Sequence, residues 1–235
     1  MIKEAIEKIL DISNPGIMEF SGRKYATKGI IPIHDPSPTA LDLQTLTGLR
    51  DYLQANIDKL ASEALLLHVF DYANVALISK LENPWLMRET YVVVKCDTLK
   101  FPFGSWMDVE TFIIRMQSQF VPSAEVDNIL RLVGNVADSV VKQFNDDGVT
   151  QQATVKTGVS RVENVAVPNP AILAPYRTFL EVEQPASRFV FRMRSGNDTP
   201  VCALFEADGG DWKNKAILRI KKWLQDNTKD IAIVA

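Results

Sequence analysis

Residues 109–144 read VETFIIRMQSQF, then VPS, then AEVDNILRLVGNVADSVVKQF. In the first part Val109, Ile113, Met116 and Phe120 step by four, three and four. After Val121-Pro122-Ser123, the residues Val126, Leu130, Val133, Ala137, Val140 and Phe144 step by four and three in the same way. Apolar positions at that spacing fall on one side of a 3.6-residue helix, so each part predicts a helix with a coiled-coil-like seam. Pro122 cannot continue the first helix, and so short a connection makes the two run antiparallel as an αα hairpin. Ser105 and Ser123 stand where an N-cap is wanted, and Asp108 lies three residues after Ser105.

Upstream of the hairpin, Ile2, Ala5, Ile6, Ile9 and Ile12 recur at helical spacing with Lys3, Glu4, Glu7, Lys8 and Asp11 opposite them. Asn14-Pro15-Gly16 stops this amphipathic helix. Residues 17–33 read as a β-hairpin turning at Ser21-Gly22, closed off by His34-Asp35-Pro36-Ser37-Pro38. Thr39, followed by Asp42, predicts a helix start, and Leu46, Leu49, Leu53, Ile57 and Leu60 carry a helical stripe that Gly48 weakens. Residues 65–70, 75–79 and 89–96 are strand-like runs spaced as antiparallel neighbours.

Downstream, Asn145-Asp146-Asp147-Gly148 is the clearest break in the chain. It divides residues 1–145, an α/β region ending in the αα hairpin, from residues 146–235, a strand-rich region with one helix. In the second region residues 150–157 and 160–167 alternate like strands about Gly158, and Pro168-Asn169-Pro170 and Pro175 hold an extended stretch. Residues 179–183, 188–194 and 201–207 predict three more strands. Asp211 opens a helix with Trp212, Ala216, Ile220, Trp223 and Leu224 on its apolar face. The fold class expected is α+β, a mixed antiparallel sheet with an αα hairpin followed by a strand-rich region with a C-terminal helix.

The 235 residues are 46% apolar and 23% charged with a net charge of −3, the composition of an ordinary globular protein. A pI near 5.5 argues against wholesale attraction to nucleic acid or membrane, so polyanion binding would have to be local. Cys96 and Cys202 lie in apolar runs without a Cys-x-x-Cys spacing, which suits buried thiols in a reducing cytoplasm. The first ten residues interleave charge with apolar residues, unlike a signal peptide or a membrane span.

Chemistry-bearing constellations are few. The run Arg188-Phe-Val-Phe-Arg192-Met-Arg194 places Phe189, Phe191 and Met193 on one face of a strand and Arg188, Arg192 and Arg194 on the other. These arginines could meet phosphates, with Lys213, Lys215, Arg219, Lys221 and Lys222 of the last helix as a second wall. The alternative is cross-strand pairing with Glu181, Glu183 and Glu206. Glu206, Asp208 and Asp211 surround Gly209-Gly210, where a metal-dependent nuclease would place carboxylates, but an acidic strand-to-helix turn capped by Asp211 explains them as well. His34 and His68 have no nucleophile beside them, and no Walker loop, dinucleotide fingerprint or metal-ligand spacing is present, so no catalytic residue, metal site or cofactor is assigned. Ile231-Ala-Ile233-Val234-Ala predicts an end strand that pairs in its own sheet or adds to a neighbour's edge, which makes Ile231, Ile233 and Val234 self-association candidates.

On the phrases Arg-Glu-Thr-Tyr at 88–91, Phe-Gly-Ser-Trp at 103–106, Gln-Ser-Gln-Phe at 117–120, Asp-Asp-Gly-Val-Thr at 146–150, Pro-Asn-Pro at 168–170, Pro-Tyr-Arg-Thr-Phe at 175–179, Glu-Val-Glu-Gln-Pro at 181–185 and Ala-Leu-Phe-Glu-Ala-Asp-Gly-Gly at 203–210, the stretch 103–223 resembles an uncharacterised family of phage and prophage proteins, the YfdQ-like group. The resemblance implies a phage origin and expression in the host cytoplasm, near replication and recombination functions, and carries over no catalytic residue. The expectation is a non-enzymatic accessory protein that forms a homo-oligomer and acts by binding or scaffolding, a role that includes countering host defence. A single-strand nucleic-acid-binding accessory is the alternative, and a metal-dependent nuclease stands third.

Overall fold

A computed structural model describes residues 2–13, 16–26, 36–81, 86–137, 142–146, 151–157, 161–166, 169–196 and 200–235. The chain is α+β, and helices and mostly antiparallel sheets share two hydrophobic cores.

The first core lies beneath a five-stranded sheet. Its strands are β3 (Leu41–Leu43), β4 (Leu65–Val69), β5 (Asn74–Ser79), β6 (Thr90–Lys95) and β14 (Ala232–Val234), in the order β14-β4-β5-β6-β3. β4, β5 and β6 form the expected antiparallel meander, while β3 joins β6 and β14 joins β4 in parallel. Val75, Ala76, Leu77 and Ile78 are buried in succession, as in a central strand covered on both faces. Helices α2 (Leu46–Ala55) and α5 (Asp211–Asn227) contribute Leu46, Leu49, Ile220 and Leu224 to this core. The helix expected from Thr39 begins later: Leu41–Leu43 is a strand, and Thr45 caps α2 by accepting from Gly48 N at 3.0 Å. Asn56 then ends α2 in the left-handed region, so Ile57 points to solvent instead of extending the stripe.

The second core is built by the αα hairpin on a four-stranded sheet. Helices α3 (Val109–Gln119) and α4 (Ala124–Ala137) cover β7 (Met107–Asp108), β11 (Ala171–Leu173), β12 (Ser187–Ser195) and β13 (Pro200–Glu206), ordered β11-β12-β13-β7 and antiparallel throughout. Phe112, Met116, Ile129 and Val133 are fully buried, whereas Ile113 and Leu130 of the expected seam are half-buried. The reason is that each helix must face the sheet as well as its partner helix, which rotates the buried stripe off a strict two-helix seam. The second helix is described as far as Ala137; Phe144, expected on the seam, lies in strand β8 (Lys142–Asp146), and Val140 falls outside the described residues. β8 pairs with β9 (Gln151–Thr157), and β9 with β10 (Arg161–Ala166), in a three-stranded antiparallel sheet. Ser123 caps α4 as expected, its Oγ accepting from Val126 N, while Asp108, not Ser105, caps α3.

Both cores draw residues from either side of position 145, so a division there does not separate two packing units. The first includes Phe179, Val182, Ile220 and Leu224; the second includes Phe101, Phe112 and Ile129 beside Phe189 and Leu204. Helix α1 (Ile2–Ser13) and the hairpin of β1 (Ile17–Phe20) and β2 (Arg23–Ala26) make up the N-terminal arm of the chain, and among the described residues none of theirs belongs to either core. The hairpin turns at Ser21-Gly22 as the sequence predicts, both residues having positive φ, which is the geometry a two-residue turn between twisted strands requires. Among the described residues no helix is long and apolar enough to cross a membrane.

Candidate functional site, the Arg177 junction and its cleft

Residues 179–183, expected as a strand, instead form a turn-bearing loop that joins the two cores. Phe179 and Val182 enter the first core while Leu173 and Phe189, on either side of the loop, belong to the second. Buried Gln184 holds the loop in shape: its Oε1 accepts from Arg177 N at 2.9 Å and Thr178 N at 3.3 Å, and its Nε2 donates to the carbonyls of Thr178, Phe179 and Val182. A loop that must cross a protein interior needs partners for its backbone groups, and this one side chain supplies five. Thr178 Oγ1 donates to the Tyr72 carbonyl and Glu181 Oε1 accepts from Thr47 N, which ties the loop to the β4–β5 turn and to α2.

Arg177 sits where these tethers meet. Its Nη1 donates to Glu206 Oε1 at 2.8 Å, and its Nη2 donates to Ser187 Oγ at 2.7 Å and to the Pro185 carbonyl at 3.2 Å. The guanidinium lies 3.8 Å from the centre of the Trp212 ring and 5.6 Å from that of Phe189. Tyr72 meets Trp212 edge-on at 4.6 Å. Burial pulls the Arg177 pKa down to about 10 against the opposing attraction of Glu206 and Asp208, so the side chain stays charged at neutral pH. Two N–H groups in this knot, Arg177 Nε and Trp212 Nε1, are buried without an acceptor. The knot forms one end of a cleft of about 620 Å³ between the two cores, whose other walls come from Tyr72, Lys95, Lys100, Phe103, Tyr176 and Lys213.

The carboxylates of the acidic turn are occupied separately. Glu206 pairs with Arg177, Asp208 accepts from Gly210 N and Trp212 N, and Asp211 pairs with Lys215 at 2.7 Å. Asp208 therefore ties down the start of α5 in place of Asp211, its carboxylate accepting from amides on both sides of the left-handed turn at Gly210. Among the described residues no three His, Cys, Asp or Glu side chains gather as a metal-binding group.

The alternation of the arginine strand is as read: Phe189, Phe191 and Met193 are buried, and Arg188, Arg192 and Arg194 lie on the opposite face of β12. The acids proposed as their cross-strand partners are engaged elsewhere, Glu206 with Arg177, Glu183 with Arg219 and Glu181 with Thr47. Arg194 instead stacks on Trp106 at 4.1 Å. The last helix does not continue this row. It packs on the five-stranded sheet, and Lys215, Arg219 and Lys222 form ion pairs with Asp211, Glu183 and Asp226. Ile231 and Ile233 pack against the first core, and β14 pairs in register with β4 of its own chain, Ile233 opposite Leu67 and Val234 opposite His68. Val234 remains half-exposed on that edge strand. Cys202 is buried and Cys96 half-buried, both as free thiols, and burial raises both pKa values, that of Cys202 to about 12. His68 packs its ring 4.0 Å from Phe70; His34 lies outside the described residues.

Comparison with family models, curated proteins and solved structures finds no match to this chain. The sequence does not single out Arg177: Pro175 predicts an extended stretch, Phe179 the start of a strand, and Pro-Tyr-Arg-Thr-Phe at 175–179 a phrase of the resemblance. The available signal was an arginine set among aromatic residues and closed off by Pro175 and Pro185, because a charged side chain in such a segment must find buried partners.

Proposed function

We propose that this chain is a non-enzymatic accessory protein of phage origin that acts in the host cytoplasm by binding or scaffolding and assembles as a homo-oligomer. The phage origin rests on the resemblance of residues 103–223. The observation that carries the binding role is the arm: Ile2, Ile6, Ile9, Ile17, Met18 and Phe20 are all exposed on α1 and its hairpin. A single helix of that length and a two-stranded hairpin are each marginal in water unless their apolar faces are covered. Covering each large side chain contributes roughly 1.5–3 kcal/mol.

A second copy of the chain suits the arm. Ile2, Ile6 and Ile9 step by four and three, the narrow stripe of a helix that pairs with another helix. Its polar side mixes Lys3 and Lys8 with Glu4, Glu7 and Asp11, so it presents no block of one charge to a second copy. The polar groups of the acidic turn, by contrast, are held in structural pairs, which favours binding over catalysis. Light scattering on the wild type and on Ile6→Glu tests the reading: the wild type should assemble and the variant should not.

A further inference from the structure

The cleft beside Arg177 has a composition that the self-association of the arm does not explain. Tyr72, Trp212, Phe101, Phe103 and Tyr176 give it aromatic walls, and Lys95, Lys100 and Lys213 stand exposed around it. Lys213 Nζ lies 5.9 Å from the ring centres of both Tyr72 and Trp212. Three carboxylates also line the cleft. Asp71 is occupied by Ala73 N and Asn74 Nδ2, Glu206 is paired with Arg177, and Asp97 completes the set. Arg177 and Glu206 cancel as an ion pair, which leaves Lys95, Lys100 and Lys213 against Asp71 and Asp97.

Trp212 and Arg177 are each more than nine-tenths buried, yet the indole Nε1 and the guanidinium Nε have no acceptor. A buried N–H left without an acceptor is destabilising, and native proteins keep few of them. Both belong to residues that line the cleft, so the polar demand of its inner end is not met by the chain itself. The volume, about 620 Å³, is within the range of small-molecule sites. Aromatic walls favour a planar ring, and ammonium groups at the rim favour an anion attached to it.

We propose that this cleft binds a nucleoside phosphate, with the base against the aromatic wall and the phosphate toward Lys213 and its neighbouring lysines. This goes beyond the proposed assembly and does not depend on it. A ring without an anion would leave the lysines unused, and an anion without a ring would leave the wall unused, so both parts are needed for tight binding.

The test is calorimetric titration of the full chain, at low salt, with each of the four ribonucleoside monophosphates, with the corresponding nucleosides and with inorganic phosphate. At least one nucleotide should bind about tenfold or more tightly than its nucleoside and than phosphate alone. Lys213→Glu, an exposed change, should weaken that binding about tenfold or more, and Tyr72→Ala should weaken it as well, with circular dichroism unchanged. Arg188→Glu, on the other sheet, should leave it as it is. Absence of binding by all four nucleotides at millimolar concentration overturns the proposal, as does a nucleotide that binds no better than phosphate or that is indifferent to Lys213→Glu. Measuring solution mass on the same samples keeps the two ideas apart, since assembly is set by the arm and not by Lys213.

Discussion

Arg177 donates to Glu206 Oε1 at 2.8 Å while its guanidinium lies over the Trp212 ring, 3.8 Å from its centre, so one side chain from the inter-core loop holds the end of β13 and the start of α5 together. Arg177→Ala removes the stacking and leaves Ser187 Oγ and the Pro185 carbonyl without their donor. A loss of about 2–4 kcal/mol in unfolding free energy is expected by chemical denaturation. Gln184→Glu should be as damaging, because a carboxylate keeps the acceptor but cannot donate to the three carbonyls that Nε2 serves. Near-wild-type stability in both variants would remove the junction from its structural role.

Asp108 caps α3 by accepting from Thr111 N at 2.9 Å, and that bond, followed by the Thr111 side chain, holds its carboxyl below the ordinary value of 3.8. Asp108→Ala should cost about 1 kcal/mol near neutral pH. For a carboxylate whose folded pKa is lowered, the contribution is present above the unfolded value and lost as pH falls through the folded one. The difference between wild type and variant in urea melts should therefore shrink on acidification below pH 3.8. A difference that stays constant would mean that the cap acts through packing and not charge.

Much of this fold was legible because burial has a period. The meander of β4, β5 and β6, the arginine strand and α5 follow alternation or helical spacing that a single sequence displays. What was not legible came from long-range pairing. Leu41–Leu43 becomes a strand only because β6 offers it an open edge, and Met107–Asp108 only because β13 does. Residues 179–183 alternate like a strand, yet Gln184 takes their backbone groups and folds them into a loop. The candidate site was hidden for the same reason: Tyr72, Arg177 and Trp212 are far apart in sequence and meet where the two cores touch.

Cys202 is fully buried in the second core, and its thiol is pushed up to about 12 by desolvation and then by the Asp108 charge. Since the thiolate is the reactive form, the native protein at pH 8 should leave Cys202 unmodified by iodoacetamide, and Cys96, half-buried and also raised by burial, should react slowly. Peptide mapping with and without urea measures this. Rapid alkylation of Cys202 without denaturant would contradict the packing of β13.

Removal of residues 231–235 deletes β14, which pairs with β4 and brings Ile231 and Ile233 against the first core. A loss of about 2–4 kcal/mol is expected, with the assembly mass unchanged at temperatures where the chain stays folded. Dissociation with the melting temperature retained would instead assign the strand to a neighbouring subunit.

Solution mass decides whether the exposed apolar arm joins copies of this chain. Multi-angle light scattering across the micromolar range should give the wild type a mass that is a multiple of 26.3 kDa. Ile6→Glu combined with Ile9→Glu should give 26.3 kDa with an unchanged circular dichroism spectrum. A wild type that stays at 26.3 kDa, or a double variant that keeps the wild-type mass, would show that the arm does not join copies of the chain.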